Sequence, residues 1–535
     1  MKDRVSLTDF LMYHKETHPI SFHMPGHKGR STLYGIYGFG DFIKNVVGND
    51  ITEIPGADAL QQPRERIKDI MEGYAGLYGA KHTELLVNGS SAGLMASILG
   101  SVPRGGKLLM GRNSHKSVYG ALRLGGIDPV YIMPEIDGET GLQLGLDPDK
   151  IEAALIKDLD IKAVLVTSPN YYGVLSDIER IASIVHLHGR ILIVDQAHGA
   201  HLKFFDYLRS EDGLPHRAAE NCGADIVVDS THKTLLSFTG SAILNICTER
   251  PDVSRISELL RMLQTTSPSY LLMGSLDINQ QILRMDGYNL IKNWDADIKY
   301  FYEEAAQIAG LGLIDRIDLD ETKVSITMSA LGLSGPELAE ELEKRNIWVE
   351  LTHGDYVMLM TGLGNERGDY EDVLSALRDL SAHHGGRIQG VEPESSASKT
   401  ESAAQDAAHK QAKNEAQAMA KNEAQAANKN ASQPVDKIAE LRTPSSDSAL
   451  IERLEQRKIP DTYEEVPLYS AEGRVLYESI IPYPPGTPIA CPGEVLSKSV
   501  ILYVRDQLVA QHVVLGVDEE GRVKVESDCV LFKEI

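Results

Sequence analysis

Short, largely apolar runs alternate with segments of helical spacing through the first half of the chain. The runs hold four or five residues each, a length typical of buried strands, and they occur at 84–87, 107–110, 129–133, 163–167, 191–194, 225–228 and 242–246. Helix-compatible segments separate most of them, which predicts a mainly parallel, doubly wound α/β sheet of seven strands. Only a short segment joins the last two runs, so we expect that pair to be antiparallel.

The apolar pattern also divides the rest of the chain. Helical spacing recurs at 63–79, 269–284 and 449–458, and strand-like runs recur at 324–328 and 356–360. These signals predict a smaller α+β domain after the sheet domain. We therefore divide the chain into an N-terminal arm, a large domain, the first part of a small domain, a linker and a C-terminal domain, at 1–45, 46–300, 301–390, 391–446 and 447–535.

The predicted linker differs from the rest of the chain in composition. Residues 391–446 are rich in Ala, Gln, Asn, Ser, Lys and Glu, and the heptapeptide AKNEAQA occurs at both 412–418 and 420–426. A segment with almost no large apolar side chains cannot bury a core, so we expect a flexible or partly helical tether.

Charge and cysteine usage narrow the choice of partners. Asp and Glu number 77 against 53 Lys and Arg, a formal charge of −24, which argues against nucleic acid and anionic membranes as partners. The four cysteines show neither metal-ligand spacing nor a disulfide pattern, so we expect no metal site and a reducing, cytoplasmic location. The N-terminus has no apolar core like that of a signal peptide.

The run at 225–228 leads directly into Ser230, Thr231, His232 and Lys233. Ligands of open α/β sheets lie at the carboxyl ends of the strands. A lysine at such an end loses water, which favours its neutral amine, and a neutral amine can attack a carbonyl to form a Schiff base. Lys233 is therefore a candidate attachment point for pyridoxal 5′-phosphate (PLP), although a lysine after a strand can also be an ordinary solvated loop residue.

Two other strand ends carry residues that suit the same cofactor. Gly89, Ser90 and Ser91 open a helix, where backbone amides and hydroxyls can hold a phosphate, although a simple serine N-cap would look alike. Asp195 ends an apolar run, and a buried carboxylate there needs a cationic partner such as a protonated pyridine nitrogen. His115 follows a third strand and lies near the same predicted edge.

In their order, these motifs resemble the aspartate-aminotransferase-like (fold type I) PLP enzymes. More narrowly, the chain resembles the bacterial ornithine/lysine/arginine decarboxylase family over about residues 5–385 and again from about 447. The motifs that carry the resemblance are HMPGHK (23–28), LVNGSSAG (86–93), RNSHKS (112–117), TSPNYYGV (167–174), VDQAHGAH (194–201), STHKT (230–234), QTTSPSYLL (264–272) and GRVLYESIIPYPPGTPIACPGE (473–494).

The resemblance implies a role for each motif residue. Lys233 would bind PLP covalently, Asp195 would pair with the pyridine nitrogen, and His115 and Ala197 would cover the two faces of the ring. The phosphate would lie among Ser90, Ser91, Ser230 and His232. The segment of Thr265 would reach the cofactor of a neighbouring subunit, which implies a homodimer or higher homo-oligomer. We expect His198 and His201 to serve in packing.

The resemblance also implies an activity, namely decarboxylation of a basic amino acid in polyamine biosynthesis. We favour arginine, then lysine or ornithine, with agmatine, cadaverine or putrescine as the product, in a short form without an N-terminal wing domain. Glu494, Glu478 and Asp58 are candidates for binding the substrate side chain, although purely structural roles are equally open. The alternatives are another fold type I enzyme, such as an aminotransferase or carbon-sulfur lyase, and a non-catalytic PLP-binding regulatory paralogue.

Overall fold

A computed structural model describes residues 6–388, 454–457, 459–460, 462–483, 487–509 and 512–527. The predicted linker at 391–446 lies outside these residues. The strands are β1 Ile20–Phe22, β2 His82–Leu86, β3 Lys107–Gly111, β4 Asp128–Ile132, β5 Ile161–Thr167, β6 Ile191–Asp195, β7 Ile226–Asp229, β8 Ala242–Ile246, β9 Gly312–Leu313, β10 Lys323–Thr327, β11 Ile347–Val349, β12 Leu351–His353, β13 Tyr356–Met360, β14 Tyr463–Pro467, β15 Ile481–Tyr483, β16 Val513–Leu515 and β17 Arg522–Glu526.

The α-helices range from single turns to more than 30 residues. They are α1 Leu7–Glu16, α2 Thr32–Ile36, α3 Gly40–Lys44, α4 Val46–Asn49, α5 Arg66–Tyr78, α6 Gly89–Ser101, α7 Lys116–Gly125, α8 Pro148–Lys157, α9 Ile178–Leu187, α10 Leu202–Glu211, α11 Thr231–Thr234, α12 Val253–Leu263, α13 Tyr270–Ala305 (36 residues), α14 Gly335–Glu343, α15 Arg367–Ile388 and α16 Lys498–Val509. In the described segments, none of them combines the length and the apolar character that crossing a membrane requires.

A seven-stranded sheet of order β2-β8-β7-β6-β5-β3-β4 forms the large domain. The strands from β7 to β4 run parallel, and β8 is antiparallel to both of its neighbours. The predicted seven strands and the antiparallel last pair are therefore confirmed. Because β6 and β7 are parallel neighbours, with Asp195 paired to Val228, the residues that follow them meet at one edge of the sheet.

Alternate residues of each strand supply two separate cores. Leu165, Ile193 and Val228 pack on one side of the sheet with α6 and α7, whereas Val164, Val194 and Val227 pack on the other side with α8 and α9. This period of two places helices on both faces, as a doubly wound fold requires. Gly93 allows α6 to lie close to the sheet, since a Cβ there would come within 2.6 Å of Leu86 Cδ1.

The smaller domain is built on a four-stranded antiparallel sheet of order β12-β13-β10-β9. Its strands β10 and β13 lie where the apolar pattern predicted them, and α13 begins where the helical spacing predicted a helix. Strand β1 of the arm pairs in parallel with β11. The arm is therefore part of the small domain's structure rather than an appendage.

The helix predicted at 449–458 is wrong over residues 454–457, and residues 449–453 and 458 lie outside the described ones. Residues 454–457 run extended, and Gln456 forms an isolated bridge with Glu494. The amide of Arg457 donates to the carbonyl of Gly493 at 2.7 Å. Pairing with a distant loop therefore overrides the local helical spacing.

A buried ion pair joins the C-terminal domain to the large sheet. Arg112, which follows β3, donates to the two carboxylate oxygens of Glu494 at 3.2 and 2.8 Å, and both side chains are nearly inaccessible (2% and 3% exposed). The guanidinium also donates to the carbonyl oxygen of Pro488 at 2.8 Å, and Glu494 accepts from the amide of Cys491 at 2.7 Å. The pair is thus satisfied on both sides despite its burial.

We expect Arg112→Met to destabilise the protein by about 3–5 kcal/mol, because the Glu494 carboxylate would stay buried without its cation. Urea unfolding followed by circular dichroism measures this loss. Arg180→Met is the control, because Arg180 and Asp149 form an exposed ion pair and its loss should cost at most about 1 kcal/mol. Equal losses in the two variants would contradict the structural role given to Arg112.

Candidate active site

Lys233 lies in the single turn α11 at the carboxyl end of β7. Its amide donates to the carbonyl of Ser230, which closes the turn and directs the side chain over the sheet edge. The Lys233 Nζ lies 2.9 Å from Nε2 of His198. Burial lowers the pKa of Lys233, and Asp195 and Glu350 only partly oppose this effect. The amine is therefore biased toward its neutral, nucleophilic form.

Asp195 is the last residue of β6 and is 3% exposed. The amide of Ala197, itself buried, donates to Asp195 Oδ1 at 3.2 Å. Burial raises the pKa of Asp195, while Lys233 and the Ala197 amide act in the opposite direction. A carboxylate held in this environment gains most from a cationic partner, such as a protonated ring nitrogen.

Three histidines near Lys233 are held neutral. Burial first, and then the Lys233 charge, lower the pKa of His115 to about 3, and the same two effects hold the pKa of His198 well below its usual value. Burial lowers the pKa of His232 to about 4, although its bond to the Ser241 carbonyl opposes the change. His115 also caps α7, since its Nδ1 accepts from the Ser117 amide at 3.2 Å. Neutral rings surround the amine without adding charge.

The predicted phosphate residues lie around the same strand ends. The hydroxyl of Ser230 is buried and has no hydrogen-bond partner within the part of the chain that the structure describes. Ser90 and Ser91 lie half-buried in the first turn of α6, and the Gly89 amide donates to Gly240, just before the Ser241 carbonyl that binds His232. An unpaired buried hydroxyl and the amino end of a helix suit an anion such as phosphate.

His198, for which we expect a packing role, also makes polar contacts at the site. Its Nε2 contacts the Lys233 Nζ, and its Nδ1 lies 2.9 Å from Nζ of Lys323, a residue of β10 that is fully buried. The sequence did carry a signal for each residue, because His198 follows Asp195 by three positions and Lys323 directly precedes the strand-like run at 324–328. His201 Nε2 lies 3.1 Å from Asp320 Oδ1 and 3.1 Å from Thr322 Oγ1.

The HMPGHK loop closes one side of the site. The Gly26 amide donates to the His232 carbonyl at 2.7 Å, and the Gly364 amide donates to the Gly26 carbonyl at 2.9 Å. A Cβ at Gly26 would come within 2.3 Å of the Leu235 carbonyl oxygen, so a larger residue does not fit without displacing the backbone. In the same loop the Met24 amide donates to Glu350 at 3.0 Å, which holds this acid near the site.

Four of the predicted site residues have other partners. Thr265 is exposed, and its carbonyl accepts from Gln61. Glu494 binds Arg112 and is not free, and Glu478 accepts from Lys524 at 2.8 Å with 47% of its side chain exposed. Asp58 accepts from the amides of Arg64, Glu65 and Ile67 ahead of α5. The structure therefore brings together Lys233, Asp195, His115, Ala197, Ser230 and His232, but not these four.

Comparison with known proteins agrees with this geometry. Residues 5–311 match the profile of the Orn/Lys/Arg decarboxylase major domain, and residues 447–516 match that of its C-terminal domain. An arginine decarboxylase of Bacillus subtilis is 30% identical over 519 residues, covering 95% of this chain and 94% of the relative. An arginine decarboxylase of Bacillus anthracis is 29% identical over 527 residues, covering 95% and 94%.

The solved lysine decarboxylase LdcF of Francisella novicida shares the fold. Its structure superposes with a TM-score of 0.67 at 18% identity, covering 97% of this chain and 81% of that one. This likeness confirms the predicted fold type I architecture. On the matches to both domain profiles and to relatives along nearly its whole length, the chain belongs to the Orn/Lys/Arg decarboxylase family and is an amino acid decarboxylase, as its motifs predicted.

Proposed function

We propose that the protein is a PLP-dependent decarboxylase that converts arginine to agmatine, with lysine and ornithine as the next candidates. The buried, neutral-biased amine of Lys233 beside the buried carboxylate of Asp195 is the observation that carries the cofactor assignment. Arginine is favoured because the two Bacillus relatives compared above, which align with this chain along nearly their whole length, are both named arginine decarboxylases. The lysine decarboxylase structure supports only the fold.

The residues present fit PLP. Lys233 would bind it covalently, Asp195 would face the ring nitrogen, and His115 and Ala197 would contact the ring. The unpaired hydroxyl of Ser230, with His232, Ser90, Ser91 and the amino end of α6, would hold the phosphate. When bound, PLP supplies an electron sink for the pair of electrons released as the carboxylate leaves the substrate.

The protein's own groups would prepare that step. Burial raises the pKa of Asp195, so a cation beside the carboxylate is favoured, and Asp195 would help to keep a proton on the ring nitrogen. His115 and His232 are neutral, so they would contact the cofactor without adding charge to it. A proton must finally return to the substrate Cα, and Lys233 or His198, which touch each other, are the groups placed to deliver it.

A basic substrate requires an acidic group at its far end. Asp58 and Glu478 stay candidates for that role, whereas Glu494 is already engaged with Arg112. Glu350 adds a carboxylate inside the site, held by the Met24 amide and by the Tyr171 hydroxyl at 3.1 Å. A guanidinium presents a planar fork that such carboxylates can bind through two hydrogen bonds.

We also infer a homodimer with the active site at the subunit interface. Thr265 is exposed in the single chain, and α1 exposes Leu7, Leu11 and Tyr13 to more than half of their full extent. Apolar side chains grouped on an exposed helix are typical of a surface that another subunit covers. The roles in polyamine synthesis and in the cytoplasm stay predictions.

The Lys233 assignment can be checked by trapping the cofactor. Borohydride reduction of the purified yellow protein should leave the cofactor covalently on the peptide that contains Lys233, as measured by mass spectrometry. Lys233→Ala should lose both the adduct and turnover, because no other amine would be placed to attack the carbonyl. A reduced adduct on a different lysine would overturn the assignment.

Asp195→Asn should retain the cofactor but lose at least about 100-fold in kcat, because a neutral amide cannot stabilise a protonated ring nitrogen. Absorbance spectra check cofactor content, and steady-state kinetics check turnover. Asp206→Asn is a matched control, since Asp206 is a buried aspartate that accepts from the Arg217 amide away from the site. Near-normal turnover in Asp195→Asn would assign the ring nitrogen to another group.

Product analysis tests the activity itself. The protein with PLP is incubated separately with arginine, lysine and ornithine, and agmatine, cadaverine and putrescine are quantified by chromatography. We expect agmatine from arginine at the highest kcat/KM. Keto-acid formation without release of carbon dioxide would support an aminotransferase instead, and no product from any of the three would favour a non-catalytic paralogue.

A further inference from the structure

Lys323 is a buried cation whose position the proposed chemistry leaves unexplained. It lies in β10 with no exposed surface, and within the described part of the chain no carboxylate comes within ion-pair distance of its Nζ. Burial lowers the pKa of Lys323 to about 8, although Asp320 and Glu350 oppose the change. Burying an ammonium group without an ion-pair partner is costly, so a purely structural role would be poorly served by lysine.

The stem of Lys323 is held in one place. Lys323 pairs with Met360 in the antiparallel register of β10 and β13. Gly173, at a φ of +92°, lies against it, and a Cβ there would come within 3.0 Å of the Lys323 Cδ. From this held stem, the Lys323 Nζ reaches His198 Nδ1 at 2.9 Å.

His198 connects Lys323 to Lys233. Its two ring nitrogens lie 2.9 Å from the two amines, and the Tyr171 ring meets it edge-on with centroids 5.0 Å apart. Burial keeps the pKa of His198 well below its usual value, so the ring is neutral and carries a single N–H. One nitrogen then donates and the other accepts, which means that the two amines cannot play the same role.

We propose that Lys323 is a positioning residue that acts through His198 to present Lys233 as a neutral, oriented amine. The Lys323 ammonium donates to Nδ1, so the imidazole proton must stay on Nε2. That N–H then donates to the lone pair of Lys233. Lys323, His198 and Lys233 together carry one positive charge. The proton responsible for that charge resides on Lys323.

Of the charges near Lys323, Asp320 favours this placement of the proton, whereas the buried Lys28, whose amine donates to the Met360 carbonyl at 2.9 Å, opposes it. Asp320, a carboxylate fixed by Thr322 and His201, lies on the Lys323 side, and the pKa of Asp320 falls to about 2 because His201 and Lys323 outweigh the effect of its burial. Lys233 faces the neutral rings of His115 and His232, and Asp195 only partly offsets the effect of burial on the Lys233 pKa. Glu350 acts on both amines.

These three groups can also pass a proton from one to the next while their total charge stays the same. If Lys233 takes the proton from Nε2, the imidazole takes one at Nδ1 from Lys323, and Lys323 becomes neutral. The total charge of the three groups is unchanged. Lys323 would thereby also be able to supply a proton to Lys233 through His198.

The test measures the titration of Lys233 directly in the full-length chain after the cofactor has been removed. Competitive acetylation with acetic anhydride over a range of pH, read peptide by peptide by mass spectrometry, gives the pH at which Lys233 is half reactive. In the wild type this midpoint should lie below that of an ordinary lysine. Lys323→Met should raise it by about one pH unit or more, a tenfold smaller neutral fraction at a given pH, because the His198 Nε2 could then accept a hydrogen bond from the protonated Lys233 amine.

Lys323→Arg separates this role from space filling. Arginine keeps the charge and the donor, so the midpoint should stay at or below the wild-type value. If Lys323 only fills space, the midpoint should instead stay near the wild-type value in Lys323→Met and change in Lys323→Arg. Met fits the space that the lysine side chain occupies, and Arg does not. Lys203→Met is the matched control, because Lys203 is a buried lysine bonded to Asn221 rather than to the site, and it should leave the midpoint unchanged.

His198→Phe tests the path of the effect and remains decisive if Lys323→Arg does not fold. In that background Lys323→Met should shift the midpoint far less than in the wild type. An equal shift would mean that Lys323 acts through space by its charge alone, and no shift in either background would remove its role; both overturn the inference. The inference rests on the proposed role of Lys233 alone, and an adduct trapped elsewhere or a different substrate would overturn that function without changing the labelling result.

Discussion

The candidate active site depends on the burial of one amine, that of Lys233. Lys233 is placed at a strand end where burial disfavours its charged form, so the protein must supply partners that tolerate a neutral amine. It does so with imidazole rings that burial itself keeps uncharged. Asp195 supplies the one negative charge at the neighbouring strand end. The parallel pairing of β6 and β7 brings these two residues together.

The local pattern of apolar residues was sufficient to predict the strands of the large sheet. The sheet strands are apolar runs whose alternate residues face two cores, and their predicted and observed positions differ by only one or two residues at most ends. The site residues at strand ends could be predicted for the same reason, because the end of a buried strand in an α/β sheet is a fixed place. Lys233, Asp195 and Ser230 needed no knowledge of distant contacts.

Residues whose role comes from distant contacts could not be found in this way. Lys323 meets His198 across 125 positions of sequence, and Arg112 meets Glu494 across 382. In the sequence, Glu494 lies in a loop that resembles the family's motif, and nothing there shows that it has a partner. In the folded chain, the Arg112 guanidinium binds its carboxylate. The segment 454–457 has helical spacing, but hydrogen bonds to a loop nearly 40 residues away keep it extended.

The close approach of Gly26 has a mechanical consequence. Its two backbone hydrogen bonds join the turn that carries Lys233 to the segment around Gly364, and the Leu363 amide adds a third bond, to the carbonyl of Thr234. The HMPGHK loop is thus hydrogen-bonded both to the turn that carries Lys233 and to the segment around Gly364. These bonds couple the position of the turn that carries Lys233 to that of the segment around Gly364, so moving one without the other requires breaking backbone hydrogen bonds.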